Sequence, residues 1–368
     1  MHDYQPLRIA EVKRETREAI SVRLDVPEAL RSAYRFKPGQ HLAVRAIIDG
    51  AEQRRTYSIC AGPDDANLRI AIKSVAGGVF SNWANATLKA GAILEAMPPS
   101  GRFILPDSDG SPRHILAFAA GAGITPIIAM AKQALAREPA TRFTLVYGNR
   151  AIETILFREE LEDLKDRYLG RFTLLHVLSH SEEGSAPLFE GRITADKVKA
   201  LAQKLVQPGR IAHVFLCGPG TMIKDARDAL LELGIPRERI HHEFFAAGGG
   251  AYRTNGAPAG AVQPIPAPRG QAEKTAGTEA VAILDGIRHR FSVPPGGRVV
   301  DAALAAGIRV PYSCKGGMCC TCRAKVVEGK ADMAVNYSLE PWEIERGFIL
   351  TCQAVPTSER LVLDYDQM

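Results

Sequence analysis

The sequence lacks the features of a membrane or secreted protein. Its first twelve residues, MHDYQPLRIAEV, have neither a basic start nor an apolar run, so they do not resemble a signal peptide. The longest uncharged run, residues 115–131, is only 17 residues long and contains Gly121, Gly123 and Pro126, which argues against a lipid-spanning helix. We therefore expect a cytoplasmic protein with no membrane contact, whose thiols stay reduced.

The chain also lacks a strong excess of charge of either sign. It has 46 Lys and Arg against 41 Asp and Glu, a formal net charge of +5 over 368 residues. The basic residues are interspersed with acidic ones and do not form the aromatic-rich basic stripe of a nucleic-acid groove. Internal repeats and charge blocks are absent as well. The sequence thus predicts no nucleic-acid partner, and its 46% apolar composition supports two or three globular domains.

Cysteine, by contrast, is concentrated in one place. Four of the seven cysteines lie within nine positions, in the stretch YSCKGGMCCTC. Cys314, Cys319 and Cys322 are separated by four and then two residues, and Cys352 follows at a distance. This is the plant-type spacing of a [2Fe-2S] cluster, with three thiolates on one loop and the fourth from a remote segment. Glycines 316 and 317 allow the backbone to fold tightly around such a cluster and to aim N–H groups at it.

A structural zinc site is the alternative for these thiols. It is disfavoured because such sites usually bring two CxxC-like pairs, whereas Cys352 stands alone. Cys320 has no role in a four-ligand count, and we expect it to be a packed thiol.

Composition and periodicity divide the chain into three domains and a linker. Residues 246–278 are rich in Gly, Ala and Pro and predict a flexible linker, with an average span of roughly 30 Å as a coil. Residues 1–108 contain short alternating runs, such as HLAVRAII and LRIAIKSV, which predict an antiparallel β-barrel. Residues 109–245 alternate strand and helix patterns and predict an α/β domain with a parallel sheet. Residues 279–368 carry the cysteine cluster.

Two stretches of the predicted barrel suit a flavin nucleotide. The first is RTYS, which offers an arginine for a pyrophosphate, a tyrosine for an aromatic ring and a hydroxyl. The second is IKSVAGGVFSNW, where two glycines precede a helix start predicted at Ser81 and leave backbone N–H groups free for a phosphate. For either motif alone, the alternative to a flavin site is an ordinary turn beside a tyrosine of the core. The candidate flavin residues are Arg55, Thr56, Tyr57, Ser58, Lys73, Gly77, Gly78 and Ser81.

The stretches GAGITP and CGPG predict a pyridine nucleotide site at the carboxyl edge of the parallel sheet. The third glycine of the usual fingerprint is missing, and no acidic residue follows the next strand, which ends in YGNR. Arg150 in this stretch would place a cation beside a 2′-phosphate, which favours NADPH over NADH. The alternative is that Arg150 is an ordinary solvated surface residue. The candidate nucleotide residues are Gly121, Gly123, Thr125, Pro126, Asn149, Arg150, Cys217, Gly218 and Pro219.

These motifs, in this order, resemble the ferredoxin–NADP reductase superfamily, here with an appended plant-type ferredoxin. The resemblance implies FAD, a [2Fe-2S] cluster in an α+β β-grasp domain, and NADPH as co-substrate. It implies that Ser58, Cys217 and Glu243 act where the hydride passes, with Phe244 or Phe245 near the flavin. Where members of the superfamily often show an arginine after the third-strand serine, this chain has Ser179 and His180.

The resemblance also implies an oxidoreductase that takes two electrons at once from NADPH and delivers them singly through the cluster. The run CRAKVVEGKADMAVNYSLE is most similar to reductases of di-iron oxygenases that epoxidise the ring of an aromatic acyl-CoA, so a di-iron oxygenase component is the expected partner. A reductase of a Rieske-type oxygenase is the first alternative. The second is a redox-sensing iron–sulfur flavoprotein without turnover, against which the full set of nucleotide-binding turns counts.

Overall fold

The fold is described from a computed structural model covering residues 3–62, 65, 68–180, 186–206, 208–245 and 277–367. Most of the predicted linker lies outside these residues. Its last residue, Thr278, is the first residue of a strand, so the ordered cluster domain begins slightly earlier than the sequence predicts. Across the described residues, no helix combines the length and the hydropathy that a bilayer crossing requires.

The first domain is a six-stranded antiparallel barrel, as predicted. Its sheet has the order β4-β3-β6-β1-β2-β5, and an Ile59–Ile70 bridge with a 2.8 Å bond from the Cys60 N–H to the Arg69 carbonyl joins its two end strands. The strands are β1 (Gln5–Thr16), β2 (Ala19–Asp25), β3 (His41–Ile48), β4 (Ala51–Ser58), β5 (Leu68–Lys73) and β6 (Ile93–Ala96). Helix α1 (Val79–Thr87) lies between β5 and β6 and begins two residues before the predicted Ser81, because Gly78 is its N-cap.

The second domain is a parallel sheet with helices between its strands, which confirms the predicted alternation. In chain order its elements are β7 (His114–Ala120), α2 (Ile124–Arg137), β8 (Arg142–Asn149), α3 (Arg158–Arg167), β9 (Phe172–Leu178), α4 (Ala195–Leu205), β10 (Ile211–Gly218), α5 (Gly220–Glu232) and β11 (Ile240–Phe244). The sheet order is β11-β10-β7-β8-β9. The order therefore reverses between β7 and β10, and the loops after these strands meet at the carboxyl edge where such sheets bind ligands.

One apolar core joins these two domains. Ala19, Phe103 and Leu105 from the barrel side pack in the same buried cluster as the residues of β7 and α2. The rings of Phe103 and Phe215 meet edge to face with centroids 5.6 Å apart. This continuity fixes the barrel relative to the carboxyl edge of the parallel sheet.

The third domain is a mixed sheet that packs against a short helix, the predicted β-grasp arrangement. Its elements are β12 (Thr278–Leu284), β13 (Ile287–Val293), α6 (Val299–Ala305), β14 (Arg323–Glu328), β15 (Ala331–Met333), α7 (Pro341–Glu345), β16 (Phe348–Leu350), β17 (Ala354–Pro356) and β18 (Arg360–Asp364). The main sheet has the order β13-β12-β18-β14-β16, with β12 and β18 parallel. Val299, Val300 and Ala303 of α6 are buried in its core. The cysteine loop runs from the end of this helical segment to β14.

Candidate functional site

The four spaced cysteines come together in two pairs. Cys314 lies beside Cys319 and Cys322 beside Cys352, so that the two thiols of each pair shift each other's pKa, and the two pairs interact electrostatically. The Cys319 thiol, with the N–H groups of residues 316, 318 and 319, lowers the pKa of Cys314 to about 5. The neighbouring Cys322 thiol lowers the pKa of Cys352 in the same way. No group of three or more His, Cys, Asp or Glu side chains in the described ranges is arranged to hold a metal ion. The donor set, four thiols in two pairs, matches the four-cysteine ligation of a [2Fe-2S] cluster.

The loop backbone around these thiols is tightly wrapped. Gly317 has a φ of +75°, and a Cβ there would lie 2.9 Å from the Val335 carbonyl oxygen. The Gly316 N–H donates to Cys314 Sγ at 3.3 Å, and the Gln353 amide holds the Lys315 carbonyl at 2.7 Å. Cys320 also packs against this loop, and its thiol donates to Ser338 Oγ at 3.0 Å.

The flavin candidates lie on β4 and at the start of α1. The Tyr57 ring is 5.8 Å from that of Phe80 on α1, so the RTYS strand and the glycine segment face one another. Arg55 bonds only to the Arg54 carbonyl and the Gln53 amide and has no carboxylate partner in the described part of the chain, which leaves its charge available for a phosphate. Lys73 lies 3.5 Å from Glu18. A Cβ at Gly77 would meet open space, whereas one at Gly78 would clash with Ser81 Oγ at 2.4 Å.

The carboxylate of Glu243 joins the barrel to the nucleotide domain. Ser58 Oγ donates to Glu243 Oε2 at 3.4 Å, and His41 Nδ1 lies 3.8 Å from Glu243 Oε1. Glu243 is also the register partner of Cys217 on β10, and burial raises the pKa of the Cys217 thiol well above its usual value. The three residues that the resemblance implies at the hydride-transfer position therefore lie together. His41 was not identified from sequence, because no motif surrounds it.

The nucleotide candidates converge at the reversal of the sheet order. A Cβ at Gly123 would lie 2.2 Å from the Cys217 carbonyl oxygen, so the GAGITP and CGPG loops touch through backbone alone. Gly121 has a φ of +53° and open space beside it, and its carbonyl accepts a 2.9 Å bond from the Tyr147 hydroxyl. Thr125 Oγ1 donates to the Ala122 carbonyl at 2.9 Å. Pro126 lies in the first turn of α2, and Pro219 is the N-cap of α5. This leaves a backbone-lined cradle at the start of α2 that fits a pyrophosphate.

Asn149 is the last residue of β8 and Arg150 follows it, beside the end of β7. The Asn149 and Arg150 carbonyls accept bonds from the N–H groups of Ser179 and His180. Arg150 is exposed. The loops after β8 and β9 therefore place one arginine and one histidine at this carboxyl edge of the sheet. Gly148, just before Asn149, is the register partner of Ala120, just before Gly121.

The cluster domain lies against both other domains. Tyr312, two residues before Cys314, has Arg54 of the barrel above its ring at 4.0 Å from the centroid. Arg102 of the barrel pairs with Glu343, and His242 Nε2 lies 3.9 Å from Glu340 Oε1. The rings of Phe244 and Tyr337 are 6.4 Å apart. None of these contacts has a sequence signal, because each joins residues far apart in the chain that carry no recognisable motif.

Comparison with protein families matches each domain in turn. The oxidoreductase FAD-binding domain matches residues 6–104, and the oxidoreductase NAD-binding domain matches residues 118–228. The 2Fe-2S iron-sulfur cluster binding domain matches residues 282–357. Along the whole chain, a subunit of the 1,2-phenylacetyl-CoA epoxidase from Escherichia coli (strain K12) is 39% identical over 368 residues, 100% of this chain and 99% of that one. The chain belongs to the family of ferredoxin–NADP reductase-like oxygenase reductases with a C-terminal [2Fe-2S] domain.

Two further comparisons also cover nearly the whole chain. The ferredoxin reductase component of the 3-ketosteroid-9-alpha-monooxygenase from Rhodococcus rhodochrous is 35% identical, over 98% of this chain and 96% of that protein. The crystal structure of phthalate dioxygenase reductase matches with a TM-score of 0.57 at 24% identity, covering 98% of both chains, which shows a shared fold. The predicted FAD, nicotinamide nucleotide and [2Fe-2S] domains and the electron-transfer reductase class are thus confirmed.

Proposed function

We propose that this reductase passes electrons from NADPH to the di-iron oxygenase component of a phenylacetyl-CoA epoxidase in phenylacetate degradation. The observation that carries the proposal is the identity of 39% along the full length of the Escherichia coli epoxidase subunit. Its cellular place would be the cytoplasm, where the seven free thiols stay reduced. A reductase of another oxygenase system is the second candidate, supported by the 35% identity to the Rhodococcus rhodochrous protein.

The flavin would be held on β4 and α1. Arg55 and the N–H groups of residues 77 and 79–81 would bind its phosphates, with Lys73 at the rim, while the Gly78 N–H donates to the Val75 carbonyl at 3.0 Å. Tyr57 and Ser58 would face its ring. When bound, FAD accepts a hydride from NADPH and releases single electrons. Tyr57 and Phe80 form an apolar wall that excludes water from one side of the ring. Ser58 is oriented by its bond to Glu243, which fixes the direction of its hydroxyl.

The nucleotide would be held by the loops at the sheet reversal. Gly121, Gly123 and Thr125 would bind the pyrophosphate at the start of α2, and Cys217, Gly218 and Pro219 would position the nicotinamide. Arg150, with Asn149, would bind the 2′-phosphate and give the preference for NADPH. Because the Cys217 pKa is raised by burial, its thiol stays neutral and presents no anion to the nicotinamide.

The cluster would be held by the two thiol pairs, with Cys314 and Cys319 on one iron and Cys322 and Cys352 on the other. The N–H groups of residues 316–319 donate to these sulfurs and stabilise their negative charge. The electron count follows from the donor and acceptor. Each NADPH oxidised to NADP⁺ would yield two electrons and one proton, and the cluster held by these four thiols would supply one-electron transfer to the partner.

Reconstitution with an oxygenase tests the proposal. The purified reductase is combined with NADPH, phenylacetyl-CoA and the catalytic subunits of the Escherichia coli epoxidase, and in parallel with the 3-ketosteroid oxygenase of Rhodococcus rhodochrous and its substrate. We expect epoxide formation in the first mixture and little product in the second. Product in the second mixture alone would assign the chain to another oxygenase system.

A further inference from the structure

A single arginine of the barrel holds the cluster domain by its most buried polar contact. The Arg102 guanidinium donates to the Glu343 carboxylate and to the Ser338 carbonyl oxygen, both in the cluster domain. The Glu343 side chain is fully buried, with 0% exposure, and Arg102 is 32% exposed. Removing one partner of a buried ion pair is costly, because the remaining charge stays buried with less compensation.

Contacts within the cluster domain fix the position of the Glu343 carboxylate. Its Oε2 accepts a 2.9 Å bond from the Glu340 N–H at the start of α7, and its Oε1 lies 3.2 Å from Arg323 Nε. Arg323 in turn lies over the Phe348 ring, 3.6 Å from the centroid. The carboxylate therefore keeps one cation and one N–H partner within the cluster domain, and Arg102 is the only cation from another domain that pairs with it among the described residues.

The other contact of Arg102 leads directly to the cysteine loop. Ser338, whose carbonyl oxygen accepts from Arg102, has its hydroxyl 3.0 Å from Cys320 Sγ and 3.3 Å from the Gly317 carbonyl oxygen. The Asn336 carboxamide oxygen accepts from the Ser338 N–H at 3.1 Å. Ser338 therefore contacts Arg102 through its carbonyl oxygen and the cysteine loop through its hydroxyl.

Behind Arg102 lies the flavin side of the molecule. The preceding Gly101 is packed so closely that a Cβ there would lie 2.8 Å from His41 Nδ1. His41 and Ser100 exchange two backbone hydrogen bonds of 2.8 and 3.0 Å, and His41 lies beside Glu243, which accepts from Ser58. Packed and hydrogen-bonded residues therefore connect Ser58, at the flavin position, with Cys320, between two cluster cysteines.

We propose that Arg102 is the positioning residue that aligns the cluster domain with the flavin for intramolecular electron transfer. The proposal rests on the proposed function, since it concerns the step in which single electrons pass from the flavin to the cluster. Arg102 touches neither cofactor position and acts through Ser338 and Glu343. Removing its side chain should leave both cofactors bound and slow only the step between them.

A double-mutant cycle with Arg102→Leu and Glu343→Gln tests this in the full-length holoenzyme. Glutamine can still accept the Glu340 N–H, so Glu343→Gln removes the charge and keeps the helix cap. Stopped-flow mixing with NADPH resolves flavin reduction from cluster reduction by absorbance. We expect each single variant to reduce the flavin at the wild-type rate and to slow cluster reduction about tenfold or more, the scale of a lost buried charge contact. The double variant should be no slower than the worse single variant, because both remove the same contact.

Two further variants separate positioning from structure. Arg102→Lys retains the charge and should restore part of the rate, and Arg8→Leu removes an arginine from the exposed Arg8–Asp25 pair of the same barrel and should change nothing. Iron, sulfide and flavin contents confirm that each variant is loaded. An unchanged rate of cluster reduction in Arg102→Leu, or losses that add in the double variant, would overturn the proposal. Failure of the wild-type flavin to accept electrons from NADPH would instead overturn the proposed function.

Discussion

At the scale of single residues, four of the five cysteines around the cluster position are expected to be ligands, and the fifth, Cys320, is expected to be a packed thiol. We expect Cys314→Ser, Cys319→Ser, Cys322→Ser and Cys352→Ser to abolish the cluster, because each removes one member of a thiol pair. Cys320→Ser should keep it, since a serine hydroxyl can also donate to Ser338 Oγ. Iron and labile sulfide per chain are measured for all five variants. One zinc without sulfide in the wild type, or equal losses in all five, would show that the ligand assignment is wrong.

Arg150 carries the expected preference for NADPH. We predict that Arg150→Ala weakens the use of NADPH by roughly 1.5 to 3 kcal/mol, the range of a charge-assisted hydrogen bond, and barely affects NADH. The measurement is kcat/KM with each nucleotide. Arg167→Ala, an exposed arginine at the end of α3, is the matched control. Parallel losses with the two nucleotides would mean that Arg150 does not bind the 2′-phosphate.

Residues with a motif could be predicted from the sequence, and residues without one could not. The cysteine spacing and the RTYS, GAGITP and CGPG stretches identify their positions because cofactor chemistry demands local glycines and thiols. His41 and Arg102 lie in no such pattern. Their importance comes from Glu243 and Glu343, which are 202 and 241 positions away in the chain. Only the packing of the three domains brings these partners together.

At the level of elements, α2 and β10 meet through a glycine that leaves no room for a side chain. Gly123 has a helical φ of −62°, so alanine would fit the backbone conformation, but its Cβ would lie 2.2 Å from the Cys217 carbonyl oxygen. We expect Gly123→Ala to destabilise the nucleotide domain by about 1–3 kcal/mol, as overpacking does, and to weaken NADPH binding. Gly170→Ala, where a Cβ meets nothing within 4 Å, is the control. Thermal unfolding and nucleotide titration measure the two effects, and equal behaviour of the two variants would contradict the steric argument.

Strands β10 and β11 share a half-buried histidine pair that should make the fold sensitive to acid. His213 Nδ1 and His241 Nε2 are 3.1 Å apart, and His241 stacks on Phe215 at 4.9 Å. Burial, with the nearby His213 and His242, lowers the pKa of His241 to about 4. The unfolded chain, with an ordinary histidine pKa near 6.5, therefore binds more protons than the folded chain between about pH 6.5 and 4.

The free energy of unfolding should accordingly fall as the pH drops below about 6.5, by at most about 1.4 kcal/mol per pH unit for this site. His241→Phe, which keeps the stacking, should flatten that fall. Urea unfolding at several pH values measures the slope, with the exposed His180→Phe as control. A variant slope equal to that of the wild type would show that His241 binds protons equally in the folded and unfolded states.

The elements themselves were predictable where the hydrophobic pattern is strong. The alternation from β7 to α5 has buried strands between amphipathic helices, and its pattern is visible in the sequence. Strands β1 and β6 of the barrel and β11 were not predicted. The first has charged residues along much of its length, and β11 reads IHHEF, so neither shows the apolar alternation of a strand. Their pairing comes from neighbouring strands in the sheet.

At the level of the whole molecule, two kinds of interface hold the three domains. The barrel and the nucleotide domain share an apolar core and the 2.8 Å Arg69–Glu160 ion pair. The cluster domain is held by the Arg54–Tyr312 stack, the Arg102–Glu343 pair and the Phe244–Tyr337 contact. The first two domains therefore form the common base against which the cluster domain is positioned by polar and aromatic contacts. Composition carries no information on either interface.

Electron flow through the whole chain is tested most directly by an anaerobic titration with NADPH, followed by absorbance and electron paramagnetic resonance. We predict that NADPH bleaches the flavin and that the signal of a reduced [2Fe-2S] cluster then appears in the wild type. In Cys322→Ser, the flavin should still bleach and the cluster signal should be missing. A wild-type protein whose flavin is fully reduced while its cluster stays oxidised, or whose flavin does not respond to NADPH, would contradict the account.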